Sequence, residues 1–85
     1  MRAKLRYRPL ALVLSHGAEQ RDRDCLLLSE KGYDVLGFAD AESAVAWLEE
    51  ETPAVAIVEQ VADLREQAVL KTLAGRGVLL RSADK

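Results

Sequence analysis

Three side chains that could do chemistry stand at the ends of apolar runs. Ser15 and His16 follow the run at residues 10–14, and Glu59 follows a second run at residues 54–58. A hydroxyl, an imidazole and a carboxylate are the groups of a hydrolase triad. An imidazole beside a carboxylate is also an ion pair that responds to pH. Which of these chemistries applies depends on how the chain places the three groups.

Local geometry argues against a triad. Sequence neighbours in a strand point to opposite faces, so the side chains of Ser15 and His16 diverge. The chain contains no G-x-S-x-G motif, which would hold a serine on a sharp strand-to-helix turn. One histidine and one cysteine, Cys25, are too few for a zinc site. We therefore predict no enzyme activity, no metal and no cofactor, and we interpret Cys25 as a small core residue.

The composition is that of a small globular protein. The 85 residues are 49% hydrophobic and 31% charged, and the formal net charge is −2. This balance argues against a protein that binds nucleic acid through its overall charge. The apolar runs are far too short to span a membrane, and we expect no secretory signal. A single cysteine forms no internal disulfide, which is typical of a reducing cytoplasm.

Four apolar runs divide the chain, at residues 10–14, 33–39, 54–58 and 78–80. Three of them are continuous rather than alternating, which is typical of strands buried on both faces of a parallel sheet. The stretches between the runs are long enough for helices. The pattern predicts an α/β fold with an open, mostly parallel four-stranded sheet in the order β-α-β-α-β-α-β.

The three helices have recognisable ends. Asp40 is a good N-cap for the second helix, and Asp63 and Glu66 have capping-box spacing at the start of the third. Glycines close the first helix, roughly residues 18–31, and the third. Helical spacing predicts a buried face on the second and on the third helix, and we interpret Trp47 as partly buried. The residues of these faces are Ala41, Ala44, Val45 and Leu48 in the second helix and Val69, Leu70, Leu73 and Ala74 in the third.

Ligands of open parallel sheets bind beyond the carboxyl ends of the strands. In this chain those ends carry Ser15 and His16, then Glu59, and finally Ser82 after the last strand. If the first and third strands are neighbours in the sheet, these side chains converge.

Several segments carry a resemblance to a known family. Residues 31–35, KGYDV, are followed by residues 39–44, ADAESA, and Pro53 precedes the third apolar run. Residues 78–82, VLLRS, end in a hydroxyl side chain. With this spacing the chain resembles the receiver domain of response regulators, the CheY-like phosphoacceptor module of bacterial two-component signalling. The resemblance implies a flavodoxin-like fold, and because the chain ends at Lys85 we expect the last elements of that fold to be missing.

The resemblance also assigns roles to the strand ends. Receivers hold Mg²⁺ with paired acidic residues after the first strand, and Ser15 and His16 stand at those positions. Glu59 stands where receivers carry the aspartate that is phosphorylated, and Ser82 where they carry a switch hydroxyl. Neither Ser15 nor His16 offers the anionic oxygen that Mg²⁺ prefers. The resemblance thus implies a degenerate phosphoacceptor site that binds no magnesium and transfers no phosphoryl group.

Three interpretations of this cluster stay open. In the first, the side chains are solvated remnants of a site that has decayed. In the second, His16 and Glu59 pair where the metal would sit. In the third, the cluster catalyses a reaction.

Residues 1–9 form a basic arm, distinct from the domain at residues 10–85. Its cations alternate with apolar residues up to Pro9, so an extended arm presents all of them on one side: Arg2, Lys4, Arg6 and Arg8. Such an arm can contact nucleic-acid phosphates, which makes a small nucleic-acid-associated regulator the alternative function. Its apolar side can instead fold across the sheet.

A domain without its last elements leaves the third and fourth strands bare or covered by something else. We therefore expect a homodimer or a docked protein partner, and no contact with a membrane. The functional prediction is a bacterial, cytoplasmic pseudo-receiver that acts independently of phosphorylation as a small protein-interaction or regulatory module.

Overall fold

A computed structural model describes residues 8–59 and 64–81 of the chain. The strands are β1 (Leu10–Leu14), β2 (Asp34–Phe38), β3 (Val55–Val58) and β4 (Leu79–Arg81). The helices are α1 (Ala18–Glu30), α2 (Ala41–Leu48) and α3 (Leu64–Gly75). The order β-α-β-α-β-α-β that the apolar runs predicted is confirmed, with small shifts at the element ends.

The four strands form one parallel sheet in the order β2-β1-β3-β4. Strand β1 lies between β2 and β3, with Ala11 opposite Val35 on one side and opposite Val55 on the other. The order of the strands reverses between β1 and β3, which is where open α/β sheets form their binding crevice. The carboxyl ends of β1 and β3 therefore lie side by side, which is the condition under which the side chains at the strand ends converge.

Helices cover both faces of this sheet. On one face, Leu28 of α1 packs with Val13 and with β3 in a buried cluster. On the other face, Leu48 of α2 and Leu73 of α3 pack with Leu12. Successive strand residues point to opposite faces, so β1 contributes to both clusters. This double burial explains why its apolar run is continuous rather than alternating.

The buried faces of the helices are narrower than the spacing of the apolar residues predicted. Val45 on α2 and Ala74 on α3 are exposed, although the sequence analysis placed both in the core. Helix α1 buries Asp24 and Leu28 while it exposes Leu26. A helix that packs on one side buries a single stripe of residues, and apolar side chains beside that stripe face the solvent.

Strands β3 and β4 differ in exposure. Val55 and Ile57 of β3 are buried, so the third strand does not lie bare. In β4, by contrast, Leu79 is 60% exposed and Leu80 is 40% exposed. Leu79 pairs with Val55 and shares the α1 face, whereas Leu80 points to the face of α2 and α3.

The cap at the start of α2 and the glycine turns after α1 and α3 lie where the sequence predicted. The Asp40 carboxylate accepts a hydrogen bond of 2.8 Å from the backbone N–H of Ser43, at the start of α2. Gly32 after α1 has a φ of +99°, and Gly77 after α3 has a φ of +77°. These left-handed conformations cost glycine little, which explains its place at both turns.

The guanidinium of Arg76 connects the ends of α2 and α3 through hydrogen bonds. The Arg76 Nη1 atom, just beyond α3, lies 2.7 Å from the carbonyl of Leu48 and 3.1 Å from that of Glu51. It also lies 3.0 Å from the hydroxyl oxygen of Thr52. The carbonyls at the end of α2 have no partners within their own helix, and a cation there also offsets the unfavourable dipole interaction of Glu49–Glu51.

Candidate functional site

Three of the predicted site residues lie at the carboxyl ends of β1 and β3. The backbone N–H of Ser15 donates to the carbonyl of Phe38 at 3.0 Å, and that of Glu59 donates to the carbonyl of Leu14 at 2.9 Å. Both residues therefore extend the hydrogen-bonding pattern of the sheet. His16 follows Ser15, so the structure brings Ser15, His16 and Glu59 to one edge.

Ser15 is held inside the protein rather than presented to a ligand. Only 2% of the residue is exposed, and its hydroxyl lies 3.5 Å from the carbonyl of Gly17. The guanidinium of Arg21 on α1 donates to the carbonyl of Ser15 at 2.9 Å. The loop after β1 is thus fixed from the α1 side of the sheet.

His16 contacts the opposite side, at the start of α3. Its Nε2 atom forms a hydrogen bond with Oε2 of Glu66, which becomes an ion pair when the imidazole is protonated. The His16 side chain is 49% exposed, whereas that of Glu66 is 1% exposed. The histidine therefore covers a buried carboxylate and joins the β1 loop to α3.

Asp40 brings a second carboxylate into the same region. Hydrogen bonds from the backbone N–H and the side chain of Ser43 lower the pKa of Asp40, and the charge of His16 lowers it further. Asp40 caps the start of α2, and Glu66 lies in the first turn of α3. The imidazole thus interacts with acidic groups at the starts of both helices that cover this face of the sheet.

The architecture is similar to that of a solved structure. A crystal structure of a response regulator receiver protein from Pseudomonas putida matches with a TM-score of 0.66, covering 93% of this chain and 71% of the other. The fold is that of a receiver domain. The two sequences are 24% identical, so the likeness concerns the fold alone. No protein-family model and no curated protein sequence matches the chain.

The residues at the end of β1 do not fit the Mg²⁺ ion that the receiver fold implies. Mg²⁺ prefers oxygen ligands, above all carboxylates. Ser15 is buried with its hydroxyl near a backbone carbonyl, and the Nε2 atom of His16 is engaged by Glu66. Within residues 8–59 and 64–81, no three His, Cys, Asp or Glu side chains are grouped so that they could hold a metal ion.

Glu66 is the site residue that sequence reasoning missed. Its spacing from Asp63 predicts a capping box, and Asp63 lies outside the described residues. The structure places the carboxylate of Glu66 against His16. A signal for burial was present, because Glu66, Val69 and Leu73 have the spacing of one helix face and all three are buried. An acidic residue on the buried stripe of a helix requires a polar partner, and the one histidine of the chain was a candidate.

Several predicted contact residues fall outside the described part of the chain, namely Ser82, Arg2, Lys4 and Arg6. Arg8 is described. Its Nε and Nη2 atoms donate to the carbonyls of Gly32 and Ser29 at 3.3 and 3.4 Å. This guanidinium therefore binds carbonyls at the end of α1, and the nucleic-acid contact of the basic arm stays a prediction.

Cys25 packs against the sheet, as predicted for a core residue. Its thiol lies close to Gly37 of β2, where an added Cβ would be 3.1 Å from the sulfur. Burial raises the pKa of the Cys25 thiol, and the nearby charges of Asp22 and Asp24 raise it further. The thiol is therefore protonated at neutral pH and behaves as a small apolar side chain.

None of the helices in residues 8–59 and 64–81 is long and apolar enough to cross a membrane.

Proposed function

We propose that the chain is a receiver-type module of two-component-type signalling, in a bacterial cytoplasm, that acts through protein contacts and independently of phosphorylation. The observation that supports this proposal is the hydrogen bond between His16 and Glu66. His16 stands where the receiver resemblance places a magnesium ligand, and its imidazole is engaged by a buried carboxylate of the protein itself.

Phosphoryl transfer to a carboxylate needs the negative charges of donor and acceptor to be neutralised, usually by a divalent cation. The chain has a nitrogen and a buried hydroxyl where the cation would bind. Glu59, in the place of the acceptor, is a methylene longer than aspartate. The His16–Glu66 contact joins the β1 loop to α3 without a phosphoryl group. We infer that this contact holds the carboxyl edge of the sheet in one conformation independently of phosphorylation.

Apolar side chains on the surface support an interaction role. Leucines are exposed on three different elements, namely Leu26 on α1, Leu64 on α3, and Leu79 and Leu80 on β4. Leu79 and Leu80 lie on β4, the last strand of the described sheet, and an edge strand can pair with a strand of a protein partner. The single cysteine, Cys25, is unpaired, as is typical of proteins in a reducing compartment.

The test is incubation of the full chain with acetyl phosphate and Mg²⁺, followed by intact-mass measurement. We expect no mass increment of a phosphoryl group, and no saturable change of Trp47 fluorescence on Mg²⁺ titration. A control variant, Ser15→Asp with His16→Asp, restores two carboxylates at the end of β1. We expect this variant to bind Mg²⁺ more tightly than the natural chain.

A phosphorylated natural chain, with the modification lost in Glu59→Gln, would contradict the proposal. Saturable Mg²⁺ binding by the natural chain at the affinity of the control variant would contradict it as well.

A further inference from the structure

A shallow groove lies between α2 and α3. Its volume is about 360 Å³, and its lining is mostly apolar: Ala41, Glu42 and Val45 on α2, and Arg65 and Ala68 on α3. The two charged residues have opposite signs and belong to opposite helices. One acidic and one basic residue therefore flank a mostly apolar recess.

An exposed leucine stands next to this groove. Leu64 is 79% exposed and begins α3. It precedes Ala68 by four residues, so both side chains lie on the same face of α3, one turn apart. The α2–α3 face thus carries an apolar recess and a protruding apolar side chain beside it.

We propose that this α2–α3 face binds a second copy of the chain about a two-fold axis. The inference rests on the proposed function, in which the chain acts through protein contacts, and it names the surface and the partner. In such a dimer, Leu64 of each copy enters the groove of the other, and Glu42 of each copy faces Arg65 of the other.

The charges favour a second copy over other occupants. A two-fold interface requires one surface patch to complement itself, and this patch holds both a recess and a protrusion, and both an acid and a base. A partner that carries only one sign of charge would be attracted by one of the two charged residues and repelled by the other. A second copy satisfies Glu42 and Arg65 together.

The first test is sedimentation equilibrium of the full chain across a wide concentration range. We expect the mass to rise from the 9.4 kDa of one chain towards twice that value. Leu64→Glu should weaken the association about tenfold or more, because a carboxylate replaces the central apolar anchor. Leu26→Glu, at a leucine that is 60% exposed on α1, is the matched control and should leave association unchanged. Circular dichroism confirms that both variants are folded.

The second test reverses the charges one at a time. Glu42→Arg alone and Arg65→Glu alone should each weaken self-association, because like charges then face each other across the axis. An equimolar mixture of the two variants should associate again, since each copy supplies the charge that the other lacks. Charge pairs within one chain cannot produce this recovery on mixing.

A chain that stays monomeric at every concentration would overturn the inference. So would a dimer that Leu64→Glu leaves intact and Leu79→Glu dissolves, because the second copy would then bind at β4. These results are independent of the phosphorylation test. A natural chain that is monomeric and takes up no phosphoryl group refutes this interface alone, whereas phosphoryl uptake refutes the proposed function.

Discussion

His16 and Glu66 form a contact between unequal partners. The carboxylate is buried, whereas the imidazole is about half exposed. Removal of the imidazole takes one hydrogen bond from a buried carboxylate. The loss of a hydrogen bond by a buried polar group destabilises the fold by more than an average hydrogen bond stabilises it. Glu66→Gln, by contrast, replaces the carboxylate by a neutral amide, whose burial costs less free energy than that of a charge.

We therefore expect His16→Ala to lower the free energy of unfolding by about 1–3 kcal/mol. The double variant with Glu66→Gln should lose less than the two single variants together, because each substitution removes the same contact. Urea denaturation of the four proteins at neutral pH measures this coupling. His16→Asn is the control that keeps a polar side chain at the position. Strictly additive losses would show that the contact contributes nothing to stability.

Asp40 makes the stability of α2 depend on pH. Its pKa in the folded chain lies below the ordinary value of 3.8, because the backbone N–H of Ser43 binds the charged form. A carboxyl group with a lowered pKa stabilises the fold fully above its unfolded-state pKa and loses that contribution as the pH falls through the folded-state pKa.

Asp40→Asn keeps an oxygen that can cap the helix but removes the titrating group. We expect the natural chain to be more stable than this variant at neutral pH, and the difference to shrink as the pH falls below about 3.8. Thermal unfolding of both proteins from pH 7 to pH 3 measures the difference. A gap that stays constant over this range would show that the charge of Asp40 does not stabilise the cap.

The hydrogen bonds of the Arg76 guanidinium join the ends of the two helices α2 and α3. Arg76→Gln should lower the free energy of unfolding by about 1–3 kcal/mol, because carbonyls at the end of α2 lose a charged donor. Lys71→Gln, which removes a cation from the exposed side of α3, is the matched control and should have little effect. Denaturation midpoints in urea compare the variants. Equal losses in both would assign the effect to net charge rather than to the contact.

The elements differ in how well sequence alone predicts them. Strand β1 was predicted with its observed bounds, because burial on both faces requires an unbroken apolar run. The buried faces of the helices were predicted less well. Val45 lies at helical spacing from Ala41 yet faces the groove between α2 and α3. Which side of a helix meets the sheet depends on how neighbouring helices pack, and periodicity alone does not contain that information.

At the scale of the whole molecule, the order of the strands decides which side chains form the site. Apolar runs predicted four parallel strands, and the reversal between β1 and β3 brings Ser15 and Glu59 to one edge. The partner of His16 could not be predicted in the same way. Glu66 follows His16 at a long separation in sequence, and only the packing of α3 against the sheet brings them into contact. Long-range polar contacts of this kind depend on tertiary packing rather than on local pattern.

The parallel sheet also has a consequence for the speed of folding. Within residues 8–59 and 64–81, no neighbouring strands are joined by a hairpin, since β1 pairs across α1 with β2 and across two helices with β3. Every ladder must therefore close a long stretch of chain before its first hydrogen bond forms, and the entropy of that closure is lost early. Rates of two-state folding fall as the mean sequence separation of contacts grows. The chain should fold more slowly than a helical bundle of equal length, and a nascent polypeptide would carry the uncovered apolar strands of its core during that delay.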